Sequence, residues 1–329
     1  MKIFRKPFFS VVIPTYNRAE LLERAIISVL NQSFQDFEII IIDNNSTDNT
    51  LDVVEAFRDP RIRLYKIDNR GIIAISRNLG MSKARGEWIA LLDSDDLWYS
   101  SRLETLVDSI QCDDACDVIS TDEVKVCSNS NSASGLIYGG ITKLSYKSLL
   151  LDGNRLSPSA TVIRRQFLET HAIKFTEDIG VNTIEDYELW LNLAFCGARY
   201  RFIHSFEGIF FVHDDNESNS NLQKTKSHKL IRDHVLNRQS FDPNKQVLLD
   251  KVDSLFKFRE LINRLSNHKN STIFFELFKI FIRYPFLVSS FLFKKLSLNI
   301  YKSLVFHFSS TRGRVETYNQ NSQISDIHR

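Results

Sequence analysis

Cysteine is scarce in this chain: Cys112, Cys116, Cys127 and Cys196 are the whole complement of 329 residues. Cys112 and Cys116 have no histidine or second cysteine pair nearby at the spacing of a zinc site, so reduced thiols in a cytosolic chain are expected rather than a metal or disulfide role. An excess of charge of one sign is also missing. The 42 Lys and Arg against 40 Asp and Glu leave a formal net charge of +2, which gives no reason to expect nucleic acid as a partner. No window holds the roughly eighteen uninterrupted apolar residues that a membrane-spanning helix needs. The opening MKIFRKPFFSVVIPTYN has an apolar run of only about six residues before Pro14, too short for a secretory leader, and reads as a first core strand. Glycine is absent where a phosphate-binding loop would require it. PTYNRAELLERA, after that strand, contains none, and no G-x-G-x-x-G occurs in the chain. That excludes a dinucleotide oxidoreductase and counts against a sugar nucleotidyltransferase.

What remains is an ordinary globular composition, 43% hydrophobic and 25% charged, enough for a sizeable core. The first hundred residues alternate strand and helix. FFSVVI (8–13), FEIIIID (37–43), IRLYKI (62–67) and EWIALLD (87–93) are strands, three of them continuous apolar runs of the kind covered on both faces. Between them Leu21, Leu22, Ala25, Ile26, Val29 and Leu30 fall at helical spacing, as do Leu51, Val54 and Phe57, and 72–84 forms a third helix. Asn17, three residues before Glu20, predicts a variant capping box. Strand-helix-strand alternation with short connections implies an α/β fold with a doubly wound, mostly parallel sheet. In such sheets ligands bind beyond the carboxyl ends of the strands, which here carry PTYN (14–17), DNNSTD (43–48) and DSDD (93–96). Three polar clusters are thus expected on one rim.

Further on, a helix over 102–110 and a strand near 117–126 extend the sheet. A polar loop or hairpin follows over 127–140, then a strand and helix start within 158–168. IEDYELWLNLAFCG (184–197) forms a helix with Gly197 at its end and Glu185 and Asp186 in its first turn, where the helix dipole favours carboxylates.

GEWIALLDSDDLW (86–98) poses the chemical question. A buried strand ends in Asp93, Asp95 and Asp96, whose mutual repulsion has to be offset by solvent, helix ends or a cation. Mg²⁺ or Mn²⁺ prefers hard oxygen ligands and often takes only one or two from protein, the rest from phosphate and water. Asp-x-Asp therefore suits a cation shared with a substrate diphosphate. A lone acid at this position can simply cap the following helix, but Asp43 and Asn17 on the same expected rim weigh against that reading.

VVIPTYNR, IIIDNNSTDNT, ISRNLGMSKARGEWIALLDSDDLW and IEDYELWLNLA, in this order and spacing, resemble the inverting nucleotide-sugar glycosyltransferases of family two, over roughly residues 8–220. The resemblance implies an A-type Rossmann-like transferase fold and a set of roles. Pro14, Thr15, Tyr16, Asn17 and Asp43 would hold the nucleobase and ribose, most often of UDP. Arg77 would lie near the diphosphate, Asp93 would face ribose or metal, and Asp95 would hold Mn²⁺ or Mg²⁺. Asp186 matches the general base that takes the acceptor hydroxyl proton, and His213 a further contact to metal or diphosphate. Asn44-Asn45 stands where the family usually has an acidic, glycine-containing turn. The implied function is hexose transfer to a glycan acceptor, often polyprenyl-diphosphate-linked, in bacterial surface polysaccharide (O-antigen or capsule) assembly. A non-catalytic nucleotide- or carbohydrate-binding relative is the alternative, and the intact Asp-x-Asp and Glu-Asp pairs argue against it.

The expected organisation is a transferase domain over 1–221, with nucleotide and acceptor halves meeting near residue 100, then a helical basic region over 222–311 and a disordered tail over 312–329. Residues 269–315 carry eight Lys or Arg against one acid, Glu276. Together with the Phe- and Leu-rich run over 272–308, this suits either contact with an anionic membrane surface on the cytoplasmic side or packing on the catalytic core.

Overall fold

The computed structural model describes residues 6–112, 115–127, 132–139, 144–212, 221–238, 244–267, 271–285, 288–289 and 292. The chain begins β1 (Phe9–Thr15), α1 (Ala19–Leu30), β2 (Phe37–Asp43), α2 (Thr50–Ala56), β3 (Ile62–Lys66), α3 (Ile73–Lys83) and β4 (Trp88–Leu91). These strands lie in the order β3-β2-β1-β4, all parallel. Every residue of β1, β2 and β4 is buried, as a sheet sandwiched between helical layers requires. Because side chains alternate along a strand, Val11, Ile13, Ile39 and Ile41 face α1 and meet Leu22, Ala25, Ile26 and Val29, while Val12, Ile89 and Leu91 face the opposite layer. Burying each such Leu or Ile contributes about 1.5–3 kcal/mol.

The second half is β5 (Leu97–Trp98), α4 (Arg102–Cys112), β6 (Val118–Cys127), β7 (Ser132–Leu136), α5 (Tyr146–Asp152), β8 (Thr161–Arg164), α6 (Arg165–Thr170), a 3₁₀ turn (Ile179–Val181), α7 (Glu185–Phe195) and β9 (Tyr200–Val212). It continues the sheet as β4-β8-β6-β9-β5, with β7 paired to β6 as a hairpin. Here β8 runs antiparallel to both neighbours, and β5 antiparallel to β9. The parallel arrangement therefore belongs to the first half and the mixed one to the second. On the far face α7 buries Leu189, Trp190 and Leu193 against β4 and β8. Gly197, at φ 84°, follows its last turn as the left-handed residue expected there.

The expected capping box at Asn17 does not form. Asn17 itself takes φ 48°, and the first turn of α1 is capped from the neighbouring loop, where Asp48 accepts from the Ala19 N–H at 3.1 Å. An Asn side chain tolerates the left-handed region and is thereby turned toward that loop instead of its own helix.

Within the region expected to be helical over 222–311, the described residues form α8 (Asn221–Arg238), α9 (Lys245–Asn267) and α10 (Ser271–Arg283). Leu230, Ile231 and Val235 of α8 and Leu248, Leu249 and Val252 of α9 belong to the same apolar cluster as α7, so these two helices pack on the core. Ile280 of α10 packs against Phe258 and Leu261, leaving Phe281 and Ile282 exposed. Among the described residues no helix is long and apolar enough to cross a membrane. The tail expected over 312–329 lies outside the described residues.

Candidate functional site

The carboxyl ends of β1, β2 and β4 meet on one rim. After β2, Asn45 takes φ 52°, the backbone position a glycine would otherwise serve. The resulting loop is laced to β1: the Asn17 N–H donates to Ser46 Oγ at 2.9 Å, and the Thr47 N–H to Asn17 Oδ1 at 2.7 Å. Asp43 is buried, and its Oδ1 accepts from the Ser46 N–H at 2.9 Å. Its Oδ2 and the Thr15 hydroxyl are buried with no hydrogen-bond partner among the described residues. A buried polar atom left so is costly unless a ligand satisfies it. Tyr16 stands on the same rim, 53% exposed.

After β4 the three acids separate. Asp96 turns inward and is 2% exposed; its carboxylate accepts from the Ser159 hydroxyl at 2.6 Å and the Phe211 N–H at 3.1 Å. Ser159 Oγ also accepts from the Asp93 N–H at 3.0 Å, so Asp96 anchors the turn to the second half of the sheet. Burial, then the charges of Glu123, Asp95 and Asp93, raise its pKa well above the carboxylate range. Asp93 and Asp95 instead line a cleft of about 1630 Å³. Each holds an arginine at 2.7 Å: Arg77 Nη2 on Asp93 and Arg18 Nη1 on Asp95.

Arg77, on α3, is 4% exposed and also holds Glu185 of α7 at 2.6 Å. Burial acts to lower its pKa, but Asp93 and Glu185 together outweigh that and keep it above its ordinary value. One guanidinium therefore joins the β4 rim to the first turn of α7. The next residue, Asp186, lines the same cleft; its Oδ2 accepts from the Asn154 side chain at 2.9 Å and its Oδ1 from the Tyr187 N–H at 2.7 Å. Burial first and the Glu185 charge second push its pKa up to about 7, against the opposing pull of Arg77. A carboxyl group so placed exchanges protons near neutral pH, as general base chemistry requires. Thr183, just before α7, holds φ 79°. That is a strained conformation for a β-branched residue, found beside the site rather than in the body of the fold.

Among the described residues no three His, Cys, Asp or Glu are grouped to hold a metal ion unaided. Asp93 and Asp95 nevertheless offer two hard carboxylate ligands to the cleft, a donor set that suits Mg²⁺ or Mn²⁺ when phosphate oxygens and water complete the shell.

Of the residues singled out in the sequence, Pro14, Arg77, Asp93, Asp95 and Asp186 line the cleft, and Thr15, Tyr16, Asn17 and Asp43 build the adjoining rim. His213 lies outside the described residues. Arg18, Glu185, Asn154 and Ser159 were not singled out as site residues. Arg18 directly follows the PTYN turn and Glu185 directly precedes Asp186, so motif adjacency pointed to both. No sequence signal marked Asn154 or Ser159.

The family model described as Glycosyl transferase family 2 matches residues 10–171. The beta-1,3-glucosyltransferase WfgD of Escherichia coli, named for UDP-Glc and alpha-D-GlcNAc-diphosphoundecaprenol, is 30% identical over 184 residues, 56% of this chain and 68% of that protein. The succinoglycan biosynthesis protein ExoO of Rhizobium meliloti is 32% identical over 207 residues, 60% of this chain and 58% of that protein. Across the first three curated relatives the match spans 37%, 58% and 27% of their lengths. The crystal structure of S. aureus TarS 1-349 in complex with UDP-GlcNAc has a TM-score of 0.63 at 20% identity, covering 83% of this chain and 79% of that one. At that identity it shows a shared fold.

Proposed function

The chain belongs to glycosyl transferase family 2, and from that premise we propose that it transfers a hexose from a UDP-sugar to a glycan hydroxyl with inversion at the anomeric carbon. The acceptor is a polyprenyl-diphosphate-linked glycan of bacterial surface polysaccharide assembly, O-antigen or capsule. The protein works peripherally at the inner face of the cytoplasmic membrane. One observation carries the reading: Asp93 and Asp95 from the β4 rim and Asp186 from α7 open onto one cleft, tied together through Arg77. In-line displacement needs a base on one side of the anomeric carbon and stabilised negative charge on the other.

Asp186, with its pKa near 7, takes the proton of the attacking hydroxyl, and Asn154 holds its carboxylate in place. Arg77 and Arg18 supply positive charge beside the departing nucleoside diphosphate. Asp93 and Asp95 would hold Mn²⁺ or Mg²⁺, which would supply further charge neutralisation on that leaving group. The buried Thr15 hydroxyl and Asp43 Oδ2 leave polar atoms on the rim for the nucleoside. UDP as donor is supported by the names of WfgD and of the TarS complex, and a diphosphate-linked acceptor by the name of WfgD. Exposed Phe281, Ile282 and Leu292 in the basic C-terminal region support contact with a membrane surface.

The test is calorimetric titration of UDP, GDP and dTDP into the wild type and Asp95→Ala, each with and without Mn²⁺ or Mg²⁺. UDP should bind only with metal, and Asp95→Ala should weaken it more than about tenfold. Metal-dependent binding that survives in Asp95→Ala refutes the metal assignment. Failure of every nucleotide to bind the wild type refutes the donor assignment and favours a non-catalytic binding protein.

A further inference from the structure

The cleft does not end at Asp186. Its far wall comes from α8 and α9, which place Lys224, His228, Phe256, Arg259, Glu260 and Arg264 along the same cavity as Asp93 and Asp95. Lys224, Arg259 and Arg264 are cations and Glu260 is the one carboxylate among the six, held by Arg264 Nη2 at 2.5 Å. The His228 ring lies flat on Phe256, with centroids 4.0 Å apart and planes at 7°, and its Nε2 bonds Asp253 at 2.8 Å. That makes a fixed ring pair on a wall where three cations face one carboxylate.

The wall is connected to the base. Asn154, which donates to Asp186, follows Gly153, and the Arg259 guanidinium lies beside Gly153, with Nη1 3.9 Å from where a Cβ on that residue would stand. Arg259 Nη2 donates to Leu151 O at 2.7 Å, which fixes the guanidinium at the end of α5. Burial holds the Arg259 pKa below its ordinary value, with Tyr187 and Asp152 acting in the opposite direction.

We propose that the α8–α9 wall is an anion subsite for the acceptor, in which Arg259, Lys224 and Arg264 bind the diphosphate carried by the acceptor glycan. The inference rests on the glycosyltransferase reading and adds the group by which the acceptor is recognised. Asp186 and these three cations line one cleft, so an acceptor with its hydroxyl at Asp186 and a diphosphate on the same short glycan finds partners for both within it. Guanidinium groups suit it, because they donate two parallel hydrogen bonds to phosphate oxygens.

The test titrates decyl diphosphate and decyl glucoside, which share a tail and differ in charge, into the full chain in EDTA, where the metal-dependent donor site is silent. Decyl diphosphate should bind at least about tenfold more tightly than the glucoside. Lys224→Ala and Arg264→Gln, both at exposed positions, should each weaken it by about tenfold, one charge-assisted contact apiece. Arg259→Gln should do the same. UDP binding with Mn²⁺ should stay unchanged in all three variants, which also confirms that they fold. Equal affinity for the two decyl compounds, or wild-type affinity in Lys224→Ala and Arg264→Gln, overturns the subsite. Inorganic pyrophosphate binding as tightly as decyl diphosphate shows a free-anion site and overturns the acceptor assignment. Loss of UDP binding in the wild type strikes the donor reading alone, since the decyl titration is read without nucleotide.

Discussion

Asp186→Asn separates the cost of holding a base in the cleft from its use. The carboxyl pKa is about 7 against an ordinary 3.8. That gap of about three pH units corresponds to at most about 4 kcal/mol, at about 1.4 kcal/mol per unit. Asp186 is only partly buried, so water in the cleft screens a share, and about 2 kcal/mol is the working figure. The sign follows from linkage. Between pH 3.8 and 7 the unfolded chain gives up this proton while the folded chain keeps it, so stability falls across that window and is constant above it. Asparagine cannot ionise, and its single side-chain oxygen keeps one of the two acceptor contacts, to Asn154 or to the Tyr187 N–H, as the carbonyl oxygen of the protonated acid does. Urea unfolding at pH 4 should therefore give nearly equal stabilities for wild type and Asp186→Asn. At pH 8 the variant should be more stable by about 2 kcal/mol, while transfer is abolished and metal-dependent UDP affinity is retained. Equal stability of the two proteins at both pH values would refute the claim that this carboxylate is held at an energetic cost.

Two other variants probe the rim and the sheet. Arg18→Met removes the guanidinium that Asp95 holds at 2.7 Å. If that half-exposed pair is worth about 1 kcal/mol, Mn²⁺ alone should bind about fivefold more tightly by electron paramagnetic resonance, and unchanged affinity would show that Arg18 does not compete with the cation. Gly86→Ala brings a Cβ to 2.6 Å from Ser10 N and 2.7 Å from Phe9 C, in the backbone of β1. Neither atom can yield without moving the strand, so the urea midpoint should drop by the equivalent of about 2 kcal/mol, and a wild-type midpoint would mean the strand gives way freely.

The sheet was legible because its signals are local. Continuous apolar runs in β1, β2 and β4, with helical spacing between them, define buried parallel strands, and parallel strands put their carboxyl ends on one rim. That was enough to bring PTYN, DNNSTD and DSDD together from the sequence alone. Capping was less legible, because Asn17 had two partners of similar chemistry within reach and the loop after β2 won over its own helix.

The sequence by itself determined the buried strands of the first half, the rim, and the kind of chemistry that carboxylates there can perform. Tertiary structure alone decided which acids face the cleft: Asp96 turns inward because Ser159 and Phe211, 63 and 115 residues away, supply its hydrogen bonds. It also decided that Arg77 pairs with Glu185 across 108 residues, and that α8 and α9 return to wall the site with positive charge. The physical reason is range. Hydrophobic periodicity is set by neighbours a few residues apart, whereas the partner of a buried charge is whichever group the folded chain delivers within about 3 Å.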